Sequence, residues 1–319
     1  MSPAAVCGGA FLKVRYMETK ETEKKSASKE VRTRIITGAV YVLAVIALCA
    51  AKWLIPEGYG SLLFDALFCA VAAIGAFELI RAFGCVSNLQ RAVTITFSAL
   101  SAPMYVLFAY LVGGAGWQGT MIALGVGALA VCVMFVADHA RSNIKSTLVC
   151  LFALVYVGLL SALLSAINHM ESNSMLAIMF AFICVPFTDA GAYIIGMTLG
   201  RFVPLKLAPK VSPHKTVIGA VGGIIGGIIG AVAAYYLFVV LGGRPELALS
   251  MPEVVAMIIT GIAASVATQF GDLFESAVKR ECSVKDMGRL LPGHGGILDR
   301  FDGTLFAGIV ILLAFAFMA

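Results

Sequence analysis

The amino-acid sequence predicts an all-α integral membrane protein of about nine transmembrane helices, on three observations. Of its 319 residues, 60% are hydrophobic and only 13% charged, where soluble chains carry about 25% charged residues. The apolar residues gather into runs of about 20, the length that crosses a ~30 Å hydrocarbon core as helix. The basic residues are confined almost entirely to one set of alternate loops.

Taken in chain order, residues 1–34 come first and differ from the rest. Lys13, Arg15, Lys20, Lys24, Lys25, Lys29, Arg32 and Arg34 alternate with Glu18, Glu21, Glu23 and Glu30 without apolar periodicity. A polar cytoplasmic tail is expected there, and the basic-then-apolar order of a secretory signal peptide is missing. Apolar runs then predict spans at about 35–54, 61–80, 92–113, 119–137 and 147–168, which make up an N-terminal transmembrane region over 35–170. Further runs at about 174–200, 216–242, 252–275 and 303–318 make up a C-terminal region over 171–319, expected to be catalytic. Nine spans place 21 of the 23 Lys and Arg on one side and leave only Lys52 and Arg244 on the other. The excess of positive charge on cytoplasmic loops puts the N-terminus and the crowded loops in the cytoplasm. The net charge of +5 is therefore a topology signal. No basic stripe interleaved with aromatics accompanies it, so no nucleic-acid partner is expected.

The eight cysteines lack the short spacings of metal or redox motifs. They read as small apolar packers, with Cys282 the one that lies among charges.

Five acidic residues fall inside or at the ends of spans: Asp65, Glu78, Asp189, Asp272 and Glu275. Each costs about 2.5–3.5 kcal/mol near a bilayer centre, so each needs a partner or a function. Glu78 stands three residues before Arg81, a spacing that predicts a local ion pair. Asp189 lies within Pro186-Phe-Thr-Asp-Ala-Gly-Ala-Tyr193, where proline and glycine loosen a helix and a polar cavity is expected. Asp272 and Glu275 share one face of the eighth span near its cytoplasmic end, which points to a cation.

The segment from Ser276 to Gly303 is crowded with chemistry. Gly293, Gly295 and Gly296 let backbone amides approach an anion, and Lys279, Arg280, Lys285, Arg289 and Arg300 neutralise phosphate charge. Asp299 and Asp302, three apart, face the same way if the last helix begins there. A hard divalent cation bound to phosphate needs only one or two carboxylates plus water. His294, flanked by glycines, is placed to hydrogen-bond a phosphate oxygen. Anchoring to anionic headgroups would account for the basic residues, but not for the glycines, histidine and aspartates between them. A second cluster includes Ser212, His214, Lys215 and Thr216, of which Ser212, Lys215 and Thr216 are expected where a helix N-terminus directs its amides at phosphate. The glycines that follow, Gly219, Gly223 and Gly227, are spaced for close helix packing.

These residues resemble the phosphatidate cytidylyltransferase (CDP-diacylglycerol synthase) family. That family's signature runs Ser-x-x-Lys-Arg, four residues, Lys-Asp, a glycine three before Leu-Pro-x-His-Gly-Gly, then Asp-Arg-x-Asp. Here it occupies Ser276 to Asp302 with the spacing kept and includes Lys285-Asp286. Gly271-Asp272-Leu-Phe-Glu275 and Ser212-Pro213-x-Lys215-Thr216 also resemble family motifs, whereas Val217 and Ile218 replace the usual aromatic residue and glutamate. The resemblance implies transfer of a cytidylyl group from CTP to phosphatidate at the membrane edge, giving CDP-diacylglycerol and pyrophosphate. It implies Mg²⁺ on Asp272, Asp299 and Asp302, with Asp189 and Glu275 as secondary ligands and room for a second cation. Lys279, Arg280, Lys285, Arg300 and His294 would hold phosphates, and Lys215 and Ser212 either CTP or the lipid headgroup. A plasma-membrane location is expected if the source is bacterial, and a homodimer is compatible with the small-residue helix faces without being required. Two rival readings are a cation-coupled transporter and an inactive lipid-binding homologue. The transporter calls for midplane acids in two related halves, whereas here the charges concentrate in one loop.

Overall fold

The computed structural model describes residues 36–55, 59–114, 116–138, 143–242, 251–291, 293 and 295–318. The tail, Arg141, Arg244, Pro292 and His294 lie outside the described residues. Among the described residues, nine helical spans are long and apolar enough to cross a membrane. They are α1 (Ile36–Leu54), α2 (Tyr59–Phe83), α3 (Asn88–Val112), α4 (Gly116–Ala137), a fifth span, α7 (Ser174–Leu199), α8 (Val217–Leu241), α9 (Met251–Glu281) and α10 (Leu298–Met318). The fifth is divided into α5 (Ile144–Ala153), one π-helical turn (Leu154–Leu159) and α6 (Leu160–Asn168). The protein is thus an integral membrane bundle, as its apolar runs require.

Two boundaries differ from the sequence expectation, and both matter. α9 continues to Glu281 and α10 begins at Leu298, where the apolar runs end at 275 and resume at 303. The added turns carry charged residues, so hydropathy misses them although the helices continue. They place Lys279 on α9 and both Asp299 and Asp302 on α10. Pro186, expected to loosen the sixth span, sits inside α7 without breaking it.

A third difference is a short antiparallel hairpin, β1 (Lys206–Ala208) with β2 (Ser212–Thr216), pairing Lys206 with Thr216 and Ala208 with Ser212. Ser212 and Lys215 therefore belong to a strand, and only Thr216 caps α8, its Oγ1 accepting the Gly219 N–H at 3.1 Å. The hairpin is fastened at its base by the Val217 N–H donating to Leu205 O (2.9 Å) and at its tip by Arg280 Nε donating to Val211 O (3.2 Å).

The core lies where α2, the fifth span, α7 and α10 meet. Phe64, Phe68, Leu79, Leu164, Phe180, Leu298, Leu305 and Phe315 are fully buried there, with Phe64, Phe68 and Phe182 in ring contact. α1 stays at the periphery, held by Tyr41 against Phe301 and Trp53 against Phe238. α8 is wedged between α7 and α9 by glycine on both sides. A Cβ at Gly191 would meet Gly222 O, one at Gly226 would meet Phe187 O, and one at Gly227 would lie 2.6 Å from Ser265 Cβ. This close approach lets Ser265 Oγ donate to Gly223 O across the interface at 2.9 Å. Gly226→Ala is expected to lower the thermal midpoint in detergent, because overpacking costs about 1–3 kcal/mol. Gly125→Ala, in α4 with nothing within 4 Å, should leave the midpoint level or raise it. Equal shifts from both would show that the α7–α8 contact is not tight.

At the end of the bundle where α1 ends and α2 begins, Asp65 finds its partners in His169 Nε2 (2.7 Å) and Asn168 Nδ2 (3.1 Å). Lys52 donates to Ser61 Oγ, Asn168 O and Asn168 Oδ1 at 2.7–2.9 Å. This network closes the end opposite the charged loops.

Candidate active site

Spacing along α9 aligns Asp272, Glu275 and Lys279 on one face, because residues three, four and seven apart stack along a helix. The start of α10 faces them with Asp299 and Asp302, α7 contributes Asp189, and the hairpin contributes Lys215. The sequence-predicted residues that are described thus gather at one end of the bundle in two adjoining parts, one buried and one open.

The buried part is a charge latch. Lys279 Nζ lies 2.6 Å from Glu275 Oε2 and 3.0 Å from Asp299 Oδ1. The side chains of Glu275 and Asp299 are 0% and 3% exposed, so the lysine is their compensating charge. Asp299 also accepts the backbone N–H of Gly296 (2.7 Å) and of Met287 (2.9 Å). It thereby ties Met287 and Gly296 to the first turn of α10. The loop backbone turns through left-handed conformations at Gly293 (φ 76°) and Gly295 (φ 87°), and a Cβ on Gly295 would lie 2.8 Å from Asp299 Oδ2. Only glycine fits both the backbone angle and that proximity.

Glu78 completes the latch from α2, and this its sequence neighbours do not foretell. The expected local pair with Arg81 is displaced by a capping role. Glu78 Oε1 accepts the Ile297 N–H (3.1 Å) and Oε2 the Leu298 N–H (2.9 Å) at the N-terminus of α10. Gly288 and Gly296 lie so close against its oxygens that a Cβ on either would meet them. A helix N-terminus leaves amides unsatisfied and carries partial positive charge, so a carboxylate from another helix fits on both counts.

The open part is a cavity of about 390 Å³ whose lining includes Asp189, Tyr193, His214, Lys215, Gln269 and Asp272. Lys215 Nζ forms an ion pair with Asp272 Oδ2, and both side chains are partly exposed. Asp302 adjoins both parts and interacts electrostatically with Asp272 and Asp189 on the cavity side and with Glu275 on the latch side. Its Oδ1 accepts the Gly303 N–H at 2.7 Å. Arg280, Lys285, Asp286, Arg289 and Arg300 are exposed and Ser212 is half-buried, and the cavity lining includes none of these six. His294 is outside the described residues. Partial burial, reinforced by Glu281, pushes the Cys282 thiol up.

Among the described residues, no group of three His, Cys, Asp or Glu side chains is set as a metal cage. The donor set nevertheless suits a hard divalent cation held with phosphate. Glu275 Oε1 is buried with no hydrogen-bond partner, and Asp302 carries a second carboxylate beside it. Asp299, in contrast, already has its oxygens engaged by amides and Lys279. Sequence reasoning also passed over Gln269, whose Nε2 donates to Ala220 O (3.2 Å) at the cavity wall, and Tyr156.

Fold and site together define a helical membrane protein with a lysine–carboxylate centre at one end of the bundle. Residues 32–318 match the cytidylyltransferase family, and the chain belongs to that family. Among its relatives, a phosphatidate cytidylyltransferase of Bacillus subtilis is 38% identical over 154 residues, 48% of this chain and 52% of the relative. One of Staphylococcus saprophyticus is 40% identical over 171 residues, 54% of this chain and 60% of the relative. One of Brucella suis is 35% identical over 232 residues, 69% and 78% of the two chains. The matched stretch is thus about half to four-fifths of each relative's length.

Proposed function

We propose that this protein makes CDP-diacylglycerol and pyrophosphate from CTP and phosphatidate in a bacterial plasma membrane, its site facing the cytoplasm. The observation that carries this reading is the Lys215–Asp272 pair at the wall of a cavity shared with Asp189, in a chain of the cytidylyltransferase family. A phosphate oxygen of the lipid attacks the α-phosphorus of CTP, the bond to the β-phosphate oxygen breaks, and pyrophosphate leaves with the electron pair. Two anions must meet, so the demand on the protein is electrostatic and positional. Lys215 exchanges Asp272 for a phosphate oxygen, and the exposed Arg280, Lys285 and Arg300 hold the polyphosphate. Lys279 stays with Glu275 and Asp299 and keeps the glycine loop in the shape that presents its amides. Asp272, Asp302, Glu275 and Asp189 are the residues that would hold Mg²⁺. When bound, that ion supplies charge neutralisation for the triphosphate and the departing pyrophosphate.

The bundle end is also where a water-soluble nucleotide and a lipid headgroup can meet. The acyl chains stay in the bilayer, which avoids moving methylenes into water at about 0.8 kcal/mol each.

The test is CTP-dependent formation of CDP-lipid by purified protein in phosphatidate-containing micelles, with and without Mg²⁺. Asp272→Asn is the informative variant, since Asp272 is partly exposed, whereas Asp299→Asn would disturb the loop whatever its role in metal binding. Product is expected from wild type, with a loss on the order of 10²-fold or more in Asp272→Asn and in Lys215→Met. Folded wild-type protein that makes no CDP-lipid from CTP would overturn the reading, and full activity of Lys215→Met would remove the cavity from it.

A further inference from the structure

The π-helical turn in the fifth span is a local departure that propensity does not explain, and such turns recur at functional sites. It carries Tyr156, a residue 3% exposed. The ring is clamped on three sides, with Phe274 at 5.2 Å, Phe152 at 5.4 Å and Phe306 at 6.0 Å between centroids. Two of these neighbours stand close to the carboxylates along their helices: Phe274 immediately precedes Glu275 on α9, and Phe306 is one turn beyond Asp302 on α10. Glycine at 271 lets the two helices close on one another there, since a Cβ would lie 2.6 Å from Asp302 O and 2.9 Å from Phe306. The hydroxyl is accordingly within electrostatic reach of Glu275, Asp302, Asp299 and Asp272.

Tyr156 Oη is buried without a hydrogen-bond partner, and so is Glu275 Oε1. One is a donor and the other an acceptor, and a buried group of either kind is costly while its partner is missing. Apo sites commonly hold such groups slightly apart until the site is loaded. We propose that Tyr156 is a positioning residue, whose hydroxyl donates into the Glu275–Asp302 pair when the site is loaded and so fixes the free oxygen of Glu275. It acts through Glu275 and touches neither the nucleotide nor the lipid. The proposal rests on the reading of Glu275 and Asp302 as the cation-holding pair.

Tyr156→Phe removes only the hydroxyl and keeps the aromatic clamp. Four purified proteins decide the matter: wild type, Tyr156→Phe, Glu275→Gln and the double variant, each titrated with Mg²⁺ for CDP-lipid formation and for the thermal midpoint. In Tyr156→Phe, kcat is expected to fall roughly 10-fold while KM for CTP changes less than about 2-fold. The Mg²⁺ concentration for half-maximal activity should rise, and the Mg²⁺-induced gain in thermal midpoint should shrink, with the Mg²⁺-free midpoint unchanged. In the Glu275→Gln background the same substitution should cost less than about 2-fold, because residues acting in one network are not additive. Wild-type kcat and Mg²⁺ dependence in Tyr156→Phe, or an equal loss in both backgrounds, would overturn the inference while leaving the carboxylate site standing. A Glu275→Gln protein that behaves as wild type would instead remove the cation-holding pair itself.

Discussion

Lys279→Met is expected to abolish CDP-lipid formation and to lower the thermal midpoint in detergent by roughly 6–20 °C. The reason is the identity of its partners. Glu275 and Asp299 are almost wholly withdrawn from solvent, and Lys279 is within 3.0 Å of both. Removing one partner of a buried ion pair leaves uncompensated charge and costs about 3–5 kcal/mol, at about 2–4 °C per kcal/mol for a chain of this size. Here the loss also reaches the loop, because Asp299 holds the amides of Met287 and Gly296. Lys279→Arg, which keeps the charge but not the compact ammonium, should retain most of the stability and little of the activity. Thermal shift and initial rates on the same preparations check both. A Lys279→Met protein with the wild-type midpoint would mean that Glu275 and Asp299 do not depend on it.

Glu78→Ala should cost activity on the order of 10²-fold although Glu78 itself binds no substrate, because it shapes the loop that does. Two backbone N–H groups, those of Ile297 and Leu298, lose their acceptor, at about 1–3 kcal/mol for each one left unsatisfied. The space vacated beside Gly288 and Gly296 lets the loop shift. Hydrogen exchange in the peptide spanning residues 287–300 should accelerate in this variant. Arg81→Ala should leave exchange and rate near wild type, since the local pair is not what holds Glu78. The opposite ranking of the two variants would restore the local pair.

Much of the site could be read from the chain because it depends on local spacing. Asp272 and Glu275 share a face through helical periodicity alone, and the glycines before Asp299 announce a tight loop; Lys279 joins that face only because α9 runs on past its apolar residues. What escaped notice depends on contacts between distant segments. Glu78 meets a partner 219 residues away, and nothing in Phe77-Glu78-Leu79 foretells it. Asp299 was legible as important, but its binding to backbone amides has no sequence signature. The hairpin at 206–216 was missed because Pro213 and three lysines mask a pairing that β-propensity would not favour. The π-helical turn is invisible to a 3.6-residue period, and Tyr156 went unnoticed with it. The spans themselves were legible because the bilayer fixes both their length and their composition.

The union of Glu78 with the start of α10 also has a meaning for biosynthesis. A ribosome adding 5–20 residues per second needs on the order of 10–40 s to pass from one partner to the other. Throughout that interval Glu78 is a carboxylate in an apolar helix with its eventual ligands not yet made. Glu275 and Lys279 emerge late, and Asp299 only with the last span. The half-made protein is therefore marked by unsatisfied charge within its helices until α10 arrives, a chemical sign of incompleteness that the folded bundle no longer carries.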